Sequence, residues 1–61
     1  MKQFPNKRVV ITGAGSGLGR ALALEFAKLG WKIGIVDIND AGSKGTLKMV
    51  EQEGGKGEVF H

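Results

Sequence analysis

Apolar residues fall in short runs separated by glycines, and the spacing within each run changes along the chain. Residues 8–12, RVVIT, are β-branched, continuous and closed on the right by glycine, which predicts a strand. The run does not alternate, so a parallel strand covered on both faces is expected. From Ser16 to Leu29 the spacing becomes helical: Leu18, Ala21, Leu22, Phe26 and Leu29 share one side, and Gly30 is placed to stop the helix. Alanines at 21, 23 and 27 favour helix and allow close approach to a sheet. Glu25 falls seven positions after Leu18 and interrupts that stripe. Residues 31–37 predict a second strand carried by Ile33, Ile35 and Val36. Gly34 sits in its interior, where another backbone or a ligand comes close. Residues 41–53 read as a weaker helix with Asp40 as N-cap and Leu47 with Val50 as its stripe. Gly42 and Gly45 each cost about 1 kcal/mol there, so its first turns are expected to be irregular. Gly54-Gly55 ends it, and residues 57–61 start a third strand.

Strand–helix–strand–helix–strand implies an α/β fold, a parallel sheet with right-handed crossovers. It is the N-terminal βαβαβ part of a Rossmann-type doubly wound sheet. In the order 3-2-1-4-5-6 the first strand pairs with the second on one side and with a fourth on the other. Within 61 residues that fourth strand is missing, so RVVI is expected to be an exposed apolar edge and the isolated chain to fold poorly or associate.

Composition narrows the function classes. At 61 residues there is one small domain at most, and with no cysteine and one histidine neither a disulfide nor a metal site is available to brace it. The net charge is +3, but lysines and arginines are scattered among acids with no basic stripe, which argues against nucleic acid. The polar N-terminus and short apolar runs show no targeting signal and no membrane span, so a cytoplasmic protein without a membrane partner is expected. Glu51 and Glu53 lie on different sides of a helix and cannot act as paired carboxylates. Arg20 is expected to point to solvent, Trp31 to pack, and His61 to bind nothing.

The chemistry concentrates in TGAGSGLGR, residues 12–20, between the first strand and its helix. There, backbone N–H groups of the turn and of the helix N-terminus converge with partial positive charge and no internal partners, an anion site suited to pyrophosphate. A P-loop, Gly-x-x-x-x-Gly-Lys-Ser/Thr, fails because the sixth residue from Gly13 is Leu18 and from Gly15 is Arg20. Gly-x-Gly-x-x-Gly/Ala fails in both registers for the same reason. These failures also disfavour an FAD or mononucleotide site.

What remains, Thr12-Gly13-x-x-x-Gly17-x-Gly19, resembles the cofactor motif of the classical short-chain dehydrogenase/reductase superfamily. By that resemblance Gly13 makes the tight turn, Gly17 admits the pyrophosphate and Gly19 lets the helix pack on the sheet. Ser16 and Leu18 would touch the cofactor, and Gly15 lies within the turn but outside the motif's fixed positions. Asp37, eighteen residues after Gly19, can accept hydrogen bonds from both adenosine ribose hydroxyls and would repel a 2′-phosphate, which favours NAD over NADP. Ser16 agrees, since NADP-dependent relatives commonly carry a basic residue there. Ile38 resembles the residue that lies along the adenine.

The resemblance implies an oxidoreductase that oxidises an alcohol or reduces a carbonyl of a small-molecule substrate, homo-oligomeric at full length. Its Tyr-x-x-x-Lys pair, with a serine and an asparagine, lies later in the family's chain. No tyrosine is present here, so no catalytic residue is assigned and residues 1–61 are expected to be a partial NAD(P)-binding domain, inactive alone. The alternative is a non-enzymatic nucleotide-binding module. An aspartate soon after His61 in the same reading frame, then Ser and Tyr-x-x-x-Lys, would establish the enzyme.

Overall fold

The computed structural model describes residues 1–60; the third-strand expectation for His61 lies outside the described residues. A four-stranded sheet is ordered β1-β2-β3-β4, with β1 Lys2–Phe4, β2 Arg8–Thr12, β3 Lys32–Val36 and β4 Lys56–Phe60. Helix α1, Gly17–Lys28, joins β2 to β3, and α2, Asp40–Gln52, joins β3 to β4. The three crossover-linked strands are parallel, as the alternating pattern implies. The expected boundaries move by a residue or so at either end.

Strand β1 is not foreseen by the pattern. It pairs antiparallel with β2, Lys2 opposite Val10 and Phe4 opposite Arg8, through a turn in which Asn6 and Lys7 take φ of 68° and 57°. The RVVI edge is therefore covered, contrary to expectation. All three β1 residues are exposed, so the segment pairs through its backbone and leaves no apolar signature.

Both helices pack on one face of the sheet. Val9, Ile11, Ile33 and Ile35 point into that layer with Ala23, Ala27 and Val50, and Leu22, Leu24, Phe26, Leu47 and Val59 close its margin. Arg8, Val10, Lys32, Gly34, Glu58 and Phe60 line the other face, an open hollow of about 400 Å³. Among the described residues only one face is covered, so β2 alternates in burial although its composition does not. Gly34 lies on that open face, where a Cβ would stand 3.0 Å from Val10 Cγ2, a tight contact that the valine would have to yield to.

The helix α1 buries only part of the predicted stripe: Leu22 and Phe26 pack at the margin of the core, but the centre of the contact lies to one side. Leu18 and Leu29 are exposed, and the seam runs Gly19, Ala23, Ala27, small residues four apart that bring the helix axis close to the strands. With the seam there, Glu25 faces solvent and pairs with Lys28 at 3.3 Å. The helix ends as Gly30 predicts: Gly30, φ 85°, donates to Ala27 O and Trp31 donates to Phe26 O, both at 3.0 Å. The Phe26 and Trp31 rings meet edge to face at 5.0 Å, sealing this stop. Gly54 repeats the device for α2, with φ 81° and Gly55 donating to Val50 O at 2.9 Å.

The N-cap of α2 is Asn39 rather than Asp40: its side-chain oxygen accepts from Gly42 N at 3.0 Å. Asp40 occupies the first turn, where its charge complements the helix dipole, and pairs with Lys44 at 3.0 Å. The first turns are regular despite Gly42 and Gly45. A Cβ on Gly42 would lie 2.6 Å from Gly15 O, so glycine there allows contact between α2 and the turn. No helix among the described residues is long and apolar enough to cross a membrane.

Candidate functional site

Thr12 pairs with Val36, so the carboxyl ends of β2 and β3 lie side by side and everything that follows each strand meets its neighbour. In open α/β sheets this is where ligands bind. Residues 13–16 leave β2 in a turn anchored by Ala14 N donating to Val36 O at 3.3 Å. Gly13 and Gly17 hold φ of 67° and 56°, conformations that exclude most side chains. A Cβ at either would meet nothing within 4 Å, so the space above both is open. Gly19 is the opposite case: a Cβ there would strike the Gly13 carbonyl, so the first turn of α1 rests directly on the loop.

Ser16 is the N-cap of α1, but its side chain caps nothing. The amides at the start of the helix therefore have no side-chain acceptor and point out of the helix end. No acidic residue lies in that first turn to neutralise the dipole.

Asp37 follows β3 and faces the same turn. Its Oδ2 accepts from Gly15 N and its Oδ1 from Asn39 N, both at 2.9 Å. A carboxylate offers about four acceptor positions, so Asp37 keeps capacity for a further donor beside its backbone amides. The Asn39 amide first, then the Gly15 amide, hold the carboxyl below its ordinary 3.8, against a smaller opposing effect of desolvation. A lowered folded value stabilises the fold above pH 3.8, and that contribution disappears as pH falls through the folded value. The stability difference between wild type and Asp37→Ala should accordingly be flat from about pH 5 to 8 and shrink only in more acid solution, as denaturant titrations would show.

Beside Asp37, a depression of about 310 Å³ is lined by Thr12, Gly13, Val36, Asp37 and Ile38. Ile38 and Leu18 are fully and largely exposed, apolar side chains with nothing over them. The eight candidate residues Gly13, Gly15, Ser16, Gly17, Leu18, Gly19, Asp37 and Ile38 thus gather at the ends of two adjacent strands. Open N–H groups, a carboxylate with spare lone pairs and an apolar flank fit a pyrophosphate, a ribose and a base respectively.

Arg20 does not face solvent. Its Nε donates to Thr46 Oγ1 at 2.9 Å, and its Nη2 donates to Gly15 O at 2.7 Å and Gly42 O at 3.1 Å. Thr46 Oγ1 donates in turn to Ala14 O at 2.6 Å. The Ala14 and Gly15 carbonyls are buried and Gly42 is half-buried, so these acceptors need a donor from within the protein, and Arg20 and Thr46 supply it. The available sequence signal was the pair of glycines in α2, tolerated only where something passes close.

A model of the short chain dehydrogenase family matches residues 7–61. The chain is 51% identical to human epidermal retinol dehydrogenase 2 over 53 residues, 87% of this chain and 17% of that protein. Among solved structures it is similar to acetoin dehydrogenase from Enterobacter cloacae, with TM-score 0.85, 32% identity, and coverage of 92% and 23% of the two chains. It is also similar to a Haemophilus influenza protein described as a D-mannonate oxidoreductase, solved with bound NAD: TM-score 0.83, 33% identity, 95% and 21% covered. The chain therefore spans about a fifth of the length of the proteins it matches.

Proposed function

We infer the function from one premise: the chain belongs to the short-chain dehydrogenase family. It supplies the adenosine and pyrophosphate half of a nicotinamide dinucleotide site in an oxidoreductase that interconverts an alcohol and a carbonyl. Residues 1–61 form a partial cofactor-binding domain. The pyrophosphate lies over the glycine turn, where the open amides from Ser16 to Leu18 and the α1 dipole stabilise its charge. The ribose hydroxyls donate to Asp37, and the adenine lies along Ile38. When bound, the nicotinamide gives or takes the hydride. With no tyrosine in the chain, the proton relay and the substrate pocket belong to residues outside it.

The cofactor is NAD. The observation that carries this is the Asp37 carboxylate, fixed by two backbone amides and kept ionised. A 2′-phosphate would stand against that anion, with no lysine or arginine at Ser16 to offset it. In the full-length protein, NAD should bind at least about tenfold tighter than NADP, and Asp37→Ala should lose NAD affinity and gain on NADP. A wild type that prefers NADP, or a variant with unchanged preference, would exclude this assignment. The relatives that resemble the chain are enzymes, which supports an enzyme over a bare nucleotide-binding module. A small-molecule substrate follows the same pattern, and a homo-oligomer at full length is part of the same proposal.

A further inference from the structure

The geometry assigns Arg20 and Thr46 a positioning role: together they lock two consecutive peptides of the glycine turn so that their amides face the cofactor side. This rests on the reading of that side as a dinucleotide site. In a planar trans peptide the carbonyl and the following N–H point in opposite directions. Thr46 Oγ1 holds the Ala14 carbonyl inward at 2.6 Å, and the N–H of that same peptide, on Gly15, reaches Asp37 Oδ2 at 2.9 Å. Arg20 Nη2 holds the Gly15 carbonyl inward at 2.7 Å, so the Ser16 N–H is turned away from the α1–α2 seam toward the open side of the turn.

The two side chains form one unit. Arg20 Nε donates to Thr46 Oγ1, leaving the threonine proton for Ala14, and Nη2 reaches across to Gly42 O at 3.1 Å. One planar guanidinium thus ties the turn, the first turn of α1 and the middle of α2 together, a geometry that a lysine ammonium does not reproduce. Space for it is kept by glycine at two helical positions. A Cβ on Gly42 would lie 2.6 Å from Gly15 O, and one on Gly45 would lie 3.2 Å from Arg20 Nη2. Since Gly15 N is also the amide that steadies Asp37, the clamp reaches the ribose acceptor as well as the phosphate-facing amides.

Arg20→Met, Arg20→Lys and Thr46→Val in the full-length protein test this. Two readouts are needed: amide exchange of Gly15 by NMR without cofactor, and steady-state kinetics with NAD. In Arg20→Met and Thr46→Val, Gly15 exchange should rise about tenfold and KM for NAD should rise by a similar factor with kcat little changed. Arg20→Lys should restore at most part of either. Unchanged Gly15 exchange in folded variants overturns the proposal. So does full rescue by lysine, which would mean that charge alone suffices. If the wild type binds no dinucleotide, the functional reading fails, while Gly15 exchange still decides the clamp. Should Arg20→Met not fold, Thr46→Val, nearly isosteric and lacking only the hydroxyl chemistry, decides it alone.

Discussion

Gly19→Ala is expected to destabilise the full-length protein by about 3 kcal/mol, the upper end of the usual penalty for adding a methyl group to a packed site. The added Cβ would strike the Gly13 carbonyl and come within 2.9 Å of Ala14 Cα. Its three nearest atoms all belong to the Gly13–Ala14 backbone, so no side chain can swing away to relieve them. Relief requires α1 to lift from the sheet, which opens the Gly19–Ala23–Ala27 seam that seats the helix. Denaturant titration reads the loss directly, as a lower midpoint at constant slope. Gly45→Ala is the informative comparison. Its Cβ would meet only the far end of Arg20, and it gains about 1 kcal/mol of helix propensity. A cost for Gly19→Ala no greater than that of Gly45→Ala would contradict this packing of α1 on the turn.

Gly17→Ala should do the reverse, sparing the fold and removing the ligand. At φ 56° alanine is allowed but costs about 1 kcal/mol, and no atom lies within 4 Å of its Cβ. With a pyrophosphate over the turn, the methyl group stands between phosphate and amide. Losing a charge-assisted hydrogen bond and the close approach should weaken NAD binding about 100-fold, roughly 3 kcal/mol. Calorimetric titration of the folded variant measures this. The two motif glycines would then separate by cause: one excluded by protein, the other by ligand.

The parallel strands, the turn between β2 and α1, and both glycine helix stops were legible because each has a local signature. Continuous β-branched residues mark a strand, and a left-handed residue past a helix marks its end. The placement of the eight candidate residues at the ends of β2 and β3 was legible for the same reason, since it follows from position relative to strand ends. Other features were not. Strand β1 pairs through backbone alone, and KQF carries no pattern. The buried side of α1 was legible only in part, through Leu22 and Phe26, because leucines mark hydrophobicity whereas Gly19, Ala23 and Ala27 mark closeness, and closeness to the sheet decided. Arg20 was placed in solvent because the carbonyls that hold it come from Gly15 and from Gly42, and the Thr46 hydroxyl lies twenty-six residues away. Likewise Gly42 and Gly45 read as defects in a helix until the turn packed against it is known.

The most direct test is a crystal structure of the full-length protein with NAD. The pyrophosphate oxygens should accept hydrogen bonds from the amides between Ser16 and Leu18, and both adenosine ribose hydroxyls should donate to the Asp37 carboxylate. A pyrophosphate away from the glycine turn, or a ribose out of reach of Asp37, would contradict the central claim.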